Sequence, residues 1–170
     1  LRPRSYAPGE KRFMGWERKR GAILELLHYL RGKNSSVLAY TPDGEHLPHL
    51  RYLLTLDADT NLSMNAALHM IGAMAHPSNR PVIENGRVVA GYGVMQPRME
   101  CSLSSFCSTL FSRISAGSGG YCLYASAAYE TYQTLFGEGI FCGKGILDID
   151  AADALLTDRF PEGRILSHDI

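Results

Sequence analysis

The sequence predicts an α/β fold with a mostly parallel sheet flanked by helices. Three observations carry that expectation. Leu53-Leu54-Thr55-Leu56 reads as a short strand buried on both faces, the kind found inside a parallel sheet. Strand-like and helix-like segments alternate along the chain. Acids and glycines gather where strands should end, and ligands of such folds bind at the carboxyl ends of strands.

Taken in order, residues 1–13 contain Pro, Gly and Arg without periodicity and read as a loop. Residues 21–31 form a helix, with Ile23, Leu26, Leu27 and Leu30 at helical spacing. A polar connection follows, with room for a short strand at Val37-Leu38-Ala39-Tyr40. The central strand runs into Asp57-Ala58-Asp59, and a helix is expected over residues 63–75, with Leu68, Ile71 and Ala75 on its apolar face. His76-Pro77 ends it. Residues 88–95 read as a strand whose Gly91 and Gly93 signal close approach by a ligand or another stretch of backbone.

Helices are expected over residues 101–114 and 124–136, with a small-residue loop between them. Residues 137–145 hold four glycines, which permit positive φ and close backbone approach, with Lys144 near the tip. The spacing is not that of a P-loop. A helix follows over residues 149–157. Asp148 and Asp150 stand at its start, where acids cap helices.

The chain has 170 residues and 45% hydrophobic side chains, enough for one globular domain with a core. Lys plus Arg and Asp plus Glu number 17 each, so net charge gives no sign of a nucleic-acid partner. The distribution is uneven: seven bases against two acids in residues 1–20, and seven acids against three bases from Gly137 onward. Cys101, Cys107, Cys122 and Cys142 lack zinc-ligand spacing and read as reduced core thiols. No apolar run reaches the length of a membrane span. A start at Leu1 and a stop at Ile170 inside an expected element suggest a piece of a longer protein.

Two stretches suggest chemistry on their own. Asp57 and Asp59 at a strand end suit a hard cation such as Mg²⁺ or Mn²⁺, which shares oxygen ligands with phosphates; a solvated turn capping the next helix fits equally. Arg18-Lys19-Arg20-Gly21 opens a helix, where amides and cations together suit phosphate, as does an ordinary solvated basic turn. Trp16 suits stacking on a sugar or base, or simple packing.

Several stretches together resemble one family. Leu56-Asp57-Ala58-Asp59 resembles the DxD element of nucleotide-sugar glycosyltransferases with the GT-A fold. Met95-Gln96-Pro97 and Phe141-Cys142-Gly143 resemble the strand-end glutamine and FCG turn of its cellulose-synthase-like branch, and Ser167-His168-Asp169 stands where that branch has Thr-Glu-Asp. The likeness is greater to the glycosyltransferase domain of cyclic β-1,2-glucan synthases. It is carried by the run from Glu10 to Gly21, Leu56-Asp57-Ala58-Asp59-Thr60, Met74-Ala75-His76-Pro77, Leu135-Phe136-Gly137-Glu138-Gly139, Gly143-Lys144-Gly145-Ile146 and Leu166-Ser167-His168-Asp169.

The resemblance implies a Rossmann-like GT-A domain lacking its first nucleotide-binding strand–helix–strand unit. It implies inverting transfer of glucose from UDP-glucose onto a growing β-1,2-glucan, with a divalent cation. Arg18, Lys19, Arg20, Gly21, Asp57 and Asp59 would hold the donor. Asp59 would be the direct metal ligand, with or without Asp57, which would also lie near the ribose. Gln96, Gly143, Lys144 and Gly145 would line the sugars. Asp169 would be the general base and His168 its rival. His168 departs from the branch's Glu.

The parent would be a bacterial inner-membrane protein with a glycoside-phosphorylase-like domain. This portion would be cytoplasmic, and alone a soluble, inactive monomer. Three other readings stand beside it: a nucleotide- or glycan-binding module, a metal-dependent phosphohydrolase using Asp57 and Asp59, and an inactive structural half of the transferase domain.

Overall fold

The computed structural model describes residues 2–36, 49–97, 102, 104, 107–115, 134–137, 141, 143–157 and 159–161. It is a mixed α/β structure with two compact units, residues 1–96 with 141–170 and residues 97–140. The second unit contributes the short helix α3, Leu110–Ser115. All other elements below belong to the first.

Residues 1–13 contain structure that composition hid. Strands β1 (Ser5–Ala7) and β2 (Arg12–Met14) pair antiparallel, with Tyr6 opposite Phe13. The two rings meet edge to face, centroids 5.4 Å apart, a cross-strand pair that supports a short hairpin. Helix α1 spans Arg18–Leu30 and starts earlier than its apolar periodicity, because Glu17 and Arg18 turn the chain with positive φ.

The core is a three-stranded sheet ordered β3 (Tyr52–Thr55), β7 (Gly145–Asp148), β6 (Val94–Met95). Alternation along β7 divides its side chains between two layers. Leu147 packs with Ile23 and Leu27 of α1 and with Ile149 and Ala152 of α4, which spans Ile149–Leu156. Ile146 packs with Met70 and Met74 of α2, which spans Ala66–Ala75. Helices thus cover both faces of β7, whose four residues are all buried.

β7 is antiparallel to both neighbours, pairing Leu53 with Leu147 and Val94 with Leu147. β3 and β6 therefore run in the same direction on either side of it. Antiparallel pairing is the rule among the described strands, and the mostly parallel sheet is not seen there; an antiparallel strand within a mixed sheet is common in α/β folds. Strand direction is not encoded in an apolar run, which reads alike both ways.

Other expectations need correction. The strand expected over residues 88–95 is two, β5 (Arg87–Ala90) and β6. Gly91 breaks it: with φ +71 it lies against the Arg80 carbonyl, where a Cβ would stand 2.0 Å from the oxygen. A Gly93 Cβ would stand 3.3 Å from that of Ala151. Both glycines thus serve the chain's own packing. β5 forms a hairpin with β4 (Val82–Glu84) through Asn85 and Gly86, both at positive φ, as a two-residue type I′ turn requires. In α2 the buried residues are Met70 and Met74, while Leu68, Ile71 and Ala75 are exposed. That helix is apolar nearly all round, so periodicity does not single out its buried face. Cys107 is an exposed free thiol, not a core one.

Residues 37–40, Cys101, Cys122, Cys142, most of the expected helix at 124–136, His168 and Asp169 lie outside the described residues. Among the described residues no helix is long and apolar enough to cross a membrane.

Candidate functional site

The sheet directions decide which loops meet. Thr55 pairs with Gly145 and Met95 with Ile146, so three chain segments leave the same sheet edge: Leu56-Asp57 after β3, Gln96 after β6, and Gly143-Lys144 before β7. Residues more than eighty positions apart in sequence become neighbours there. Two glycines make the approach possible. A Cβ on Gly145 would stand 2.4 Å from the Met95 carbonyl oxygen and 3.1 Å from Gln96 Cα, so only glycine lets the end of β6 lie across it. Gly143 has φ +77, and a Cβ there would stand 3.0 Å from Lys19 Nζ.

Asp57 is the centre of this edge. Lys19 Nζ, from the first turn of α1, donates to Asp57 Oδ1. Lys144 Nζ, from the turn before β7, donates to Oδ2 at 2.7 Å. The three side chains are half-buried. Lys144 first, and then Lys19, hold the Asp57 carboxyl below the ordinary aspartate range by stabilising its charged form. Asp59, one turn residue on, is exposed.

The basic run at the head of α1 is divided by helix geometry, with successive side chains about 100° apart. Lys19 turns to Asp57. Arg18 pairs with Glu10. Arg20 is buried, forms an ion pair with Glu17 Oε2 at 2.6 Å and lies over the Phe160 ring, beside Ile23 and Leu24. Gly21 is buried against the Trp16 carbonyl, where a Cβ would stand 1.9 Å from the oxygen. Of the four residues, Lys19 is the one the structure brings to Asp57; Arg20 and Gly21 secure the helix entry. The Trp16 side chain is exposed. Asp148 caps α4, its Oδ1 accepting from Ala151 N at 3.1 Å, and Asp150 pairs with Arg31 at 2.7 Å, as acids at a helix start suggest.

The donor set favours a cation unequally at the two aspartates. Both Asp57 oxygens already accept from ammoniums, so Asp57 does not fit as a metal ligand in this arrangement. Asp59 does: an exposed carboxylate suits Mg²⁺ or Mn²⁺, which take one or two protein carboxylates and complete their shell with phosphate and water. Among the described residues no three His, Cys, Asp or Glu side chains gather into a ready-made metal cage.

Sequence reasoning missed the association of Lys144 with Lys19. It placed Lys144 with the sugars, and no local pattern links residues so far apart. The glycines flanking Lys144 were the available signal, since they mark a turn approached closely by other chain segments.

Comparison with known proteins agrees with the direction of the sequence analysis. No family model matches the chain. The chain is similar to a glucan synthase. It is 39% identical over 176 aligned residues to the cyclic β-(1,2)-glucan synthase NdvB of Rhizobium meliloti (strain 1021). The alignment covers 99% of this chain and 6% of NdvB, so the chain spans a small part of that relative's length.

Proposed function

We propose that this chain contributes the donor-binding part of a glycosyltransferase that builds β-1,2-glucan from UDP-glucose. The observation that carries the reading is the 39% identity to NdvB along 99% of the chain. The meeting of Asp57, Lys19 and the Gly143–Lys144 turn at one sheet edge supports it, since ligands of α/β sheets bind outside strand ends. Inverting transfer is a single displacement at the anomeric carbon. It needs charge stabilisation for the departing diphosphate and a base for the acceptor hydroxyl.

Asp59 would hold Mg²⁺ or Mn²⁺, which when bound supplies Lewis-acid stabilisation of the leaving group. Lys19 adds positive charge on the same side. Gln96 and the backbone of Gly143 and Gly145 line the sugars. Asp169 takes the acceptor proton, and His168 is the rival base. The parent is a bacterial inner-membrane protein with this portion on the cytoplasmic side. A second reading, an inactive half that binds donor without transferring sugar, is favoured by the 6% coverage of NdvB.

Isothermal titration with UDP, with and without Mn²⁺, tests the proposal. Binding tightened by Mn²⁺, displaced by UDP-glucose and weakened to its metal-free strength in Asp59→Ala, is expected. Absence of nucleotide binding under both conditions contradicts it.

A further inference from the structure

We propose that Asp57 is a positioning residue rather than a metal ligand, and that it joins Lys19 and Lys144 into a two-ammonium clamp for a phosphate or diphosphate group. The inference rests on the donor-site reading above and reassigns two residues within it: Lys144 moves from the sugar side to the phosphate side, and Asp57 acts through the lysines.

The argument begins with charge. Two ammoniums on opposite oxygens of one carboxylate are close enough to repel, and the carboxylate between them offsets that repulsion. The trio carries a net charge of +1, so the site still favours an anion. Long lysine side chains lose rotamer freedom when fixed, and a ligand that must fix them binds more weakly for it. Here Asp57 has fixed both beforehand. The half-buried setting strengthens each interaction relative to open water.

The backbone is arranged for the same result. Gly143 at φ +77 leaves room for the end of the Lys19 side chain, and Gly145 lets β6 close over the base of the turn that carries Lys144. Arg18 and Arg20, the neighbouring cations, are engaged by Glu10 and Glu17. Among the described residues, Lys19 and Lys144 are the two cations that share one carboxylate at this sheet edge. A phosphate oxygen accepts charge-assisted hydrogen bonds from ammoniums, which suits this pair for phosphate.

The test is titration of the chain with inorganic diphosphate in EDTA, followed by calorimetry and by lysine ammonium resonances in NMR. Wild type should bind, with shifts at the Lys19 and Lys144 ammoniums. Lys19→Met and Lys144→Met should each weaken binding by about tenfold or more, the usual worth of one charge-assisted hydrogen bond. Lys144→Arg, which keeps the cation, should restore most of it. Asp57→Asn raises the net charge from +1 to +2 but releases both side chains; the proposal expects the loss of fixation to outweigh the added charge, so binding should weaken and both ammonium signals broaden.

Diphosphate binding unchanged in Lys144→Met, or unchanged or tightened in Asp57→Asn, overturns the clamp. Failure of wild type to bind diphosphate while it binds UDP with Mn²⁺ also overturns it, yet leaves the donor reading intact. Failure to bind either ligand removes both.

Discussion

The two ends of the β3–β7–β6 sheet each hold an aspartate among cations, and they use it differently. At one end Asp148 is 3% exposed; its side chain caps α4 and meets Arg51 at 3.5 Å. The surrounding backbone is tied in as well: Asp148 N donates to Gly93 O and Ile149 N to Arg51 O, each at 2.9 Å. At the other end the Asp57 side chain is 35% exposed and bonds two lysines from distant elements. The first arrangement satisfies backbone groups that folding would otherwise leave unpaired. The second gathers side-chain charge at an open edge. Similar residue types thus secure the fold at one end and gather charge at an open edge at the other.

The glycines give the largest expected difference. Gly145→Ala at the Asp57 end places a Cβ 2.4 Å from a backbone oxygen that cannot withdraw without parting β6 from β7. Urea unfolding should show a loss of about 1–3 kcal/mol. Gly93→Ala at the Asp148 end meets the Ala151 methyl at 3.3 Å, so its loss should be the smaller of the two. Equal losses would break the contrast between the ends.

The aspartates come next. Asp148→Ala removes a helix cap and should cost about 1 kcal/mol in the same unfolding assay, with UDP binding unchanged. Asp57→Ala should cost less than that, within the roughly 0–1 kcal/mol of a partly exposed ion pair, and should weaken UDP binding. The reverse pattern would mean that the chemical and structural ends have been exchanged.

The smallest effect is on titration. The Asp57 carboxyl is stabilised in its charged form, so in a carbon-detected NMR titration its midpoint should fall below the ordinary value of about 3.9. A lowered folded-state value means that this contact contributes fully above the unfolded value. The contribution is lost as pH falls through the lowered one. Lys144→Met should move the midpoint back upward, because Lys144 is the leading cause of the shift.

Much of this arrangement was legible in the chain. The apolar run ending in Asp57-Ala58-Asp59 marked the strand, and the glycines around Lys144 marked a close approach. Asp148 read correctly as a helix cap, whereas Asp150, in the first turn, pairs with Arg31 instead of capping. The hairpin at Asn85-Gly86 carried a usable turn signal that went unread, since Gly91 and Gly93 drew attention to one longer strand. The direction of β7, the buried face of α2 and the Lys19–Asp57–Lys144 contact were not legible. Each depends on tertiary pairing: an apolar strand reads the same in both directions, an all-round apolar helix has no preferred face, and a charge trio whose members stand 38 and 87 positions apart leaves no local pattern.

The central claim is that the sheet edge at Asp57 receives the donor's diphosphate. Backbone amide shifts on titration with UDP and diamagnetic Mg²⁺ test it most directly. The account predicts shifts at Lys19, at residues 56–60 and at residues 143–145, with residues 148–153 at the opposite end unmoved, and a need for about tenfold more UDP to reach those shifts in Lys144→Met. Shifts centred on the Asp148 end, or shifts at Asp57 reached at the same UDP concentration in Lys144→Met, would contradict it.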